Sequence, residues 1–183
     1  MNKTKNSLSE KVRKDVCQVL NQNLANVIDL EYQAKQAHWN IKGMQFRSLH
    51  KIFDDVSSIA RKYVDEFAER SVQLGSVVKG TIRVAAEQSD LEEYPTDLIS
   101  AEKHIETIGD RIATVARFTR QAIDKSEKLG DKVTSDIFVD ATKDLAELTW
   151  MLESYLMDVT SDIRESVEKS RGRSQDISRH VSH

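Results

Sequence analysis

Apolar residues recur every three or four positions along most of this chain, the spacing that puts them on one face of an α-helix. The pattern predicts four long helices, over residues 8–39, 48–78, 100–129 and 133–158. Ser7 or Ser9 is placed to cap the first helix. Gly130 is placed to end the third, as glycine commonly does just beyond a helix C-terminus.

The connection between the second and third predicted helices is long, covering residues 79–97, whereas the other connections are short. Within this connection, the apolar and polar pattern of residues 81–87 predicts one short helix. Short links join antiparallel helices, and one long crossover lets two such pairs run in the opposite sense. We therefore predict an all-α fold: a ferritin-like four-helix bundle with a long crossover, containing a short helix, between helices 2 and 3.

The composition agrees with long helices and a single core. One proline and six glycines in 183 residues leave little material for the turns of β-hairpins, while 31% of the residues are charged. The ends of the chain lose the apolar period. We predict three parts: a flexible basic arm over residues 1–7, the helical bundle over 8–164, and a flexible Arg/Ser-rich tail over 165–183.

Charge and cysteine content exclude several classes of protein. A formal net charge of −3 excludes a globally basic nucleic-acid binder, although not a local basic arm. Cys17 is the only cysteine, so no intrachain disulfide can form, and a reducing compartment is indicated. No stretch approaches the ~18 apolar residues of a membrane span, and the N-terminus lacks the apolar core of a signal peptide. We expect a cytoplasmic protein that does not contact membranes.

Two pairs of potential metal ligands lie on the second predicted helix, His50 with Asp54 and Asp65 with Glu69. At about 1.5 Å of rise per residue, Asp54 and Asp65 are about 16 Å apart along the axis, so no single ion can bridge the two pairs. At about 100° per residue, all four side chains nevertheless fall within an arc of about 100° on one face. His38, just upstream, is a further candidate ligand.

Antiparallel packing of this helix against its own copy brings the two pairs together. A two-fold axis near positions 59–60 sets His50 opposite the partner subunit's Glu69, and Asp54 opposite the partner subunit's Asp65. The pattern predicts two symmetric metal sites across a homodimer interface. The same face carries Leu49, Phe53 and Phe67 close by, so we expect the acids to lie near apolar packing. The alternative is an ordinary solvated face on which such pairs occur by chance.

The ligand types indicate which ions fit. Imidazole with carboxylate suits Fe(II), Zn(II) or Mn(II), and the chain has no thiolate cluster for a closed structural zinc site. A di-iron site inside one subunit would use Glu-x-x-His motifs on facing helices. That motif is missing, because the residue three positions before His104 is Ala101. The inter-subunit site is therefore the remaining candidate.

Several motifs in order resemble one family. The stretches AKQAHWNIKGMQFRSLHKIFDD, DEFAERSVQLG, LEEYP, HIETIGDR, GDKVTSDIF and LTWMLESYL resemble the Dps family (DNA-binding protein from starved cells), a group of mini-ferritins. The resemblance covers about residues 20–158, and both ends of the chain fall outside it.

The resemblance implies a function and a ligand set. His38, His50 and Asp54 of one subunit, with Asp65 and Glu69 of the two-fold mate, would form a ferroxidase centre that takes two iron ions, with zinc as a competing ion. The protein would be a hollow homododecamer built from two-fold dimers. It would oxidise Fe(II), preferentially with hydrogen peroxide, store ferric mineral inside and protect DNA from oxidative damage.

The resemblance also gives Trp39, beside His38, as a candidate electron donor that intercepts radicals; the alternative is an aromatic that packs at an interface. Asp136, Asp140 and Asp144 form an acidic stripe on the fourth predicted helix. Around a three-fold axis, such stripes would line a pore that attracts Fe(II); the alternative is a plain solvated face.

Basic residues cluster at both ends of the chain. The candidate DNA contacts are Lys3, Lys5, Lys11, Arg13 and Lys14 in the first fourteen residues, and Lys169, Arg171 and Arg173 near the C-terminus. One arm would bind DNA weakly, and twelve copies would bind by avidity. The alternative function is therefore a nucleoid-associated, DNA-compacting protein with a secondary or non-iron metal site. The arms would otherwise be solubilising tails.

Overall fold

A computed structural model of the protein describes residues 1–98 and 100–180, with side chains up to residue 157. The regular elements of this described part are helices. They are α1 (Glu10–Asn40), α2 (Phe46–Gln73), α3 (Ile82–Gln88), α4 (Ala101–Lys128) and α5 (Lys132–His180). The all-α prediction is confirmed, and α3 is the short helix expected in the crossover.

The four long helices form two hairpins that pack on one another. α1 packs mainly on α2, α4 packs mainly on α5, and the hairpins meet where α1 contacts α4 and α2 contacts α5. Contacts across the first hairpin run antiparallel, because Arg13 near the start of α1 reaches Leu74 after α2, while His38 near the end of α1 meets His50. α3 lies against α1.

The core contains the apolar positions that gave the sequence its period. The largest fully buried aromatic side chains include Tyr63 and Phe67 from α2 and Phe138 from α5, which pack as tilted pairs with ring centroids 5.7 and 4.9 Å apart. Such aromatic pairs add stability beyond the area that they bury. Leu49 and Phe53 of α2 are also fully buried. The apolar face of α2 therefore points into its own subunit.

Local signals at the helix ends agree with the predicted caps. Ser9 accepts a hydrogen bond from the Val12 N–H at 3.3 Å, and Ser100 accepts one from the Lys103 N–H at 3.2 Å. These bonds satisfy backbone donors that the first turn leaves without partners. Gly130 adopts a φ of +79°, the left-handed conformation that ends α4.

Two helix ends differ from the sequence prediction. α2 ends at Gln73 rather than near residue 78, because Gly75 takes a φ of +86° and turns the chain away. α5 continues to His180, well beyond residue 158, since the end of the chain lacks apolar period but contains no proline to interrupt a helix. The flexible C-terminal tail over 165–183 stays a prediction; its side chains, and residues 181–183 altogether, lie outside the described residues.

The N-terminal arm contacts the end of α2. The Asn2 N–H donates to the Gly75 carbonyl at 2.6 Å, and a Cβ at position 75 would lie 2.8 Å from the Asn2 carbonyl oxygen. Real Cβ atoms do not approach that closely, so glycine is what lets the arm lie there. The boundary of the bundle at residue 8 nevertheless remains a prediction.

A buried ion pair ties α2 to the start of α5. Arg70 donates to both carboxylate oxygens of Asp131, at 2.9 and 3.0 Å, and to the Thr134 hydroxyl at 2.9 Å. Asp131 also accepts from the Thr134 N–H, which makes it the N-terminal cap of α5. Burial alone would raise the pKa of Asp131, but the hydrogen bonds from Thr134 and Arg70 outweigh it, so its pKa is lowered.

We expect Asp131→Asn to lower the free energy of unfolding by about 3–5 kcal/mol at neutral pH, because it leaves the Arg70 charge buried without a counter-charge. Since the pKa of Asp131 is depressed by folding, its contribution is complete above the ordinary value of about 3.9 and is lost as the pH falls through the folded-state pKa. Denaturant unfolding between pH 3 and 7 measures both effects. Asp124→Asn on the exposed side of α4 is the control; equal losses in the two variants would contradict the assignment.

Candidate metal centre

The loop between α1 and α2 brings two histidines face to face. Gly43 makes the turn with a φ of +105°, which places His38 at the end of α1 beside His50 at the start of α2. The two rings are stacked, with centroids 3.6 Å apart and planes 22° apart. Each ring bonds the main chain of the other residue: His38 Nδ1 lies 2.7 Å from the His50 carbonyl, and His50 Nδ1 lies 2.8 Å from the His38 carbonyl.

These reciprocal bonds fix the chemistry of both rings. A carbonyl oxygen can only accept a hydrogen bond, so each Nδ1 must carry the proton and donate. In a neutral imidazole the other nitrogen, Nε2, then holds a free lone pair. A histidine that ligates a metal usually donates its second N–H to a carbonyl in this way, which orients the ring and raises its basicity. His38 and His50 are therefore prepared as Nε2 donors.

Asp54, one turn after His50, is held by a lysine that the sequence reasoning did not single out. Lys35 of α1 makes a salt bridge and hydrogen bond with the Asp54 carboxylate. The Lys35 hydrogen bond, opposed by burial, holds the pKa of Asp54 below its usual value. The sequence places Lys35 on the same face of α1 as His38, three residues away, but it does not show the pairing with Asp54, which depends on how α1 packs against α2.

The second pair, Asp65 and Glu69, lies on the exposed surface of α2. The expectation that the acids lie near apolar packing is wrong for Asp65 and Glu69 in the single chain, because both are exposed while Leu49, Phe53 and Phe67 are buried in the core. Within the described part of the chain, no three His, Cys, Asp or Glu side chains form a group that could hold a metal ion. One subunit thus presents two separate sets of candidate ligands, one where the end of α1 meets the start of α2 and one near the end of α2.

Trp39 and the acidic stripe occupy different environments. The Trp39 side chain is 64% exposed at the end of α1, next to His38 in sequence. Asp136 and Asp140 are exposed on α5. Asp144 is half-buried and accepts from the Tyr63 hydroxyl at 2.6 Å, which lowers its pKa although burial acts to raise it. The stripe therefore has two exposed carboxylates and one that is bonded to α2.

The candidate DNA contacts near the N-terminus are mostly exposed. Those exposed are Lys3, Lys5, Lys11 and Lys14. Arg13 differs, because its side chain is buried and donates to the carbonyls of Leu74 at 2.8 Å and Leu8 at 3.2 Å. We therefore leave Arg13 out of a DNA-binding surface. Lys169, Arg171 and Arg173 have side chains outside the described residues.

Comparisons with known proteins agree with this architecture. A family model described as a ferritin-like domain matches residues 17–161. The DNA protection during starvation protein of Agrobacterium fabrum is 39% identical over 156 residues, covering 85% of this chain and 96% of that protein. The structure of Dps from Staphylococcus aureus is 33% identical with a TM-score of 0.74, covering 78% of this chain and 95% of that chain.

A Dps structure from Vibrio cholerae, described as a member of a broad superfamily of ferritin-like diiron-carboxylate proteins, has a TM-score of 0.79 at 24% identity and supports the fold alone; it covers 85% of this chain and 98% of that chain. The fold is that of a ferritin-like protein. Within that class, the chain belongs to the Dps family, as its motifs predicted. In the part of the chain that the structure describes, no helix has the length and apolar content needed to cross a membrane.

We expect Lys35→Met to tighten the binding of a divalent cation at the His38/His50/Asp54 half-site, because the ammonium competes for Asp54. A partly exposed ion pair contributes about 0–1 kcal/mol, so the gain is at most about fivefold in affinity. Zn²⁺ titration calorimetry on the full-length protein measures it. Lys51→Met is the matched control, since Lys51 pairs with Asp55 on the adjoining exposed surface; an equal gain there would show only a general effect of charge.

Proposed function

We propose that this protein is an iron-sequestering mini-ferritin that oxidises Fe(II) at centres shared between subunits. His38, His50 and Asp54 of one copy and Asp65 and Glu69 of its two-fold mate supply the ligands. Hydrogen peroxide is the preferred oxidant, and the ferric product is stored inside a hollow homododecamer. Removing Fe(II) and peroxide together would protect DNA, in keeping with the name of the Agrobacterium fabrum relative.

The observation that carries this proposal is the reciprocal bonding of His38 and His50. Their Nδ1 atoms are committed to main-chain carbonyls, so their Nε2 lone pairs are available to a cation. Two imidazole nitrogens and three carboxylates match Fe(II), with Zn(II) as a competing ion of similar ligand preference. The exposed Asp65 and Glu69 supply the negative charge that the histidine half-site lacks.

The chemistry requires two metal ions at each shared centre. Reduction of hydrogen peroxide to water takes two electrons, and two Fe(II) ions supply one each. Paired transfer avoids the one-electron cleavage that releases hydroxyl radical. The protein would hold both ions with oriented ligands. The fixed histidine rings and the spacing of the carboxylates along α2 set that orientation.

Iron would reach this centre through the wall of the shell. Asp136 and Asp140, exposed near the start of α5, would face a three-fold pore and attract Fe(II) by their field. Asp144, bonded to Tyr63, would hold the wall of that pore rather than bind transiting ions. We place the protein in the cytoplasm, the compartment that holds the DNA it would protect.

A complementation experiment tests whether the centre is shared. Asp54→Asn and Asp65→Asn each disable every centre in a homomeric shell, and each should slow peroxide-driven Fe(II) oxidation at least about tenfold. When the two variants are unfolded, mixed and reassembled, each mixed dimer contains one centre with all native ligands. Random pairing should therefore restore about a quarter of the wild-type centres.

The readout is stopped-flow ferric absorbance with one peroxide per two Fe(II), with iron co-eluting with a large shell. Asp55→Asn, next to Asp54 but outside the ligand set, is the control and should leave oxidation unchanged. A centre contained within one subunit predicts no recovery on mixing. That outcome, with intact mixed shells, would falsify the shared ligand set.

The second candidate function, DNA compaction through the terminal arms, is favoured by the exposed Lys3 and Lys5. The N-terminal segment lies at the surface, and twelve copies on one particle would bind a phosphate backbone by avidity. Arg13 is buried and bonded to the Leu74 carbonyl, so the first fourteen residues offer DNA fewer positive charges than their sequence indicates.

We expect Lys3→Gln with Lys5→Gln to weaken DNA binding and to reduce the salt slope by about 0.9 for each DNA phosphate that is no longer neutralised. Gel-shift assays of whole shells across a salt series measure both quantities. Asp54→Asn shells, which retain both lysines, are the control and should bind DNA as the wild type does. Salt-insensitive binding, or none by the wild type, would exclude the arm as a DNA-binding element.

A further inference from the structure

A tyrosine and a histidine form an isolated polar pair inside the bundle. Tyr94 in the crossover places its hydroxyl oxygen 2.5 Å from Nδ1 of His104 on α4. The two rings are stacked with centroids 6.1 Å apart. Tyr94 is 4% exposed and His104 is 1% exposed, so water does not reach the bond between them.

Burial decides how the proton is shared. It raises the pKa of Tyr94 and lowers the pKa of His104, so both groups are neutral at neutral pH. We assign the phenol as the donor to Nδ1, because a phenol O–H is the stronger donor and a neutral imidazole nitrogen the stronger acceptor, and this leaves the hydrogen of the imidazole on Nε2. Nε2 is buried and has no hydrogen-bond partner among the described residues. A proton that reaches Nδ1 therefore has no onward path and can only return to Tyr94.

The crossover is held in place around this pair. Gln33 of α1 donates to the Glu92 carbonyl at 2.9 Å, and Arg111 of α4 donates to the Glu93 carbonyl at 3.4 Å. Arg111 is bonded in turn to Gln33 at 3.1 Å. Its positive charge acts to lower the pKa of Tyr94, though less than burial raises it. Hydrogen bonds from α1 and α4 thus hold the two residues that precede Tyr94, and so fix the position of Tyr94 itself.

The pair also lies close to the candidate metal centre. The His104 ring packs at 6.5 Å from Phe53 of α2, measured between ring centroids. Phe53 directly precedes Asp54 and lies three residues after His50, which puts the Cβ atoms of Phe53 and His50 about 5–6 Å apart. Phe53 therefore lies between His104, which its ring packs against, and the turn of α2 that carries His50 and Asp54.

We propose that Tyr94 and His104 form a redox-active pair that supplies one electron to the centre when only one Fe(II) is bound there. This inference rests on the function proposed above. Hydrogen peroxide needs two electrons, and a half-filled centre would deliver one and release a hydroxyl radical. The pair provides the missing electron from inside the same subunit.

The step balances. The O–O bond of hydrogen peroxide breaks and both oxygens leave as hydroxide. One electron comes from Fe(II), which becomes Fe(III), and the second comes from the Tyr94 phenol. As that electron leaves, the phenolic O–H bond breaks and its proton moves to His104 Nδ1, giving a neutral tyrosyl radical and an imidazolium. A later electron from Fe(II) restores the phenol when the proton returns.

Burial makes the pair selective for strong oxidants. An imidazolium at a 1% exposed position is costly, so the proton transfer to His104 is uphill. Ferric ion and peroxide alone would then leave Tyr94 reduced, whereas a strong one-electron oxidant would not. The second buried tyrosine, Tyr63, donates instead to the anionic Asp144 at 2.6 Å and is the rival donor within the subunit.

The test uses whole shells with one Fe(II) per centre, mixed with hydrogen peroxide and freeze-quenched for electron paramagnetic resonance. Ring-deuterated tyrosine separates a tyrosyl signal from one on Trp39. We expect a tyrosyl radical that Tyr94→Phe removes and that the exposed-site control Tyr32→Phe and the rival Tyr63→Phe both retain. A signal unchanged in Tyr94→Phe, or lost in Tyr63→Phe instead, overturns the proposal.

His104→Gln tests whether His104 accepts the proton of Tyr94. It also provides a test of the pair if Tyr94→Phe shells do not assemble. This variant keeps Tyr94 but should lose the solvent deuterium isotope effect on re-reduction of the radical. A purely structural role for His104 leaves that isotope effect unchanged, which counts against the proposal.

An experiment without metal distinguishes the Tyr94–His104 pair from the proposed function. Flash oxidation of the iron-free shell by a photogenerated ruthenium(III) tris-bipyridine should give the same Tyr94 radical, and its absence overturns the pair. If the radical forms there but iron is not oxidised by peroxide, the proposed function fails and the role at the centre fails with it. If iron is oxidised without a radical at Tyr94, the role at the centre alone is overturned.

Discussion

The rise of a straight helix is the constraint from which the rest of this structure follows. His50 with Asp54 and Asp65 with Glu69 lie on one face of α2, but about 16 Å of helix separates Asp54 from Asp65. One subunit does not close that gap, since no three His, Cys, Asp or Glu side chains come together in the part of the chain that the structure describes. A centre that uses all four residues therefore needs a second copy of α2.

Within one subunit, what is already organised is a pair of histidine rings, His38 and His50, whose Nε2 atoms are left free of the main chain. Two histidines clamp each other through main-chain carbonyls across the α1–α2 turn, and this requires no metal. Lys35 meanwhile neutralises Asp54, so the lone subunit does not carry an unpaired carboxylate beside those rings. Any cation that approached the Asp54 carboxylate would therefore compete with an internal ammonium.

Much of the fold could be predicted from the sequence, because the apolar period of each helix and the caps at Ser9, Ser100 and Gly130 are local signals. Gly75 is a local signal of the same kind, and the predicted end of α2 near residue 78 overlooked it; what the sequence could not show is that the N-terminal arm lies against this glycine. The face and spacing of the ligands on α2 were likewise visible in the sequence. The pairing of Lys35 with Asp54, the burial of Arg13 and the contact of Tyr94 with His104 were not, because each depends on how separate elements pack.

Gly75 has a consequence for where the N-terminal arm can lie. The Asn2 carbonyl occupies the space that any side chain at position 75 would need, and the φ of +86° disfavours other residues there. A single substitution at position 75 would therefore push the arm away from the end of α2, and it would do so in every copy of the chain at once, without altering the candidate ligands elsewhere on α2.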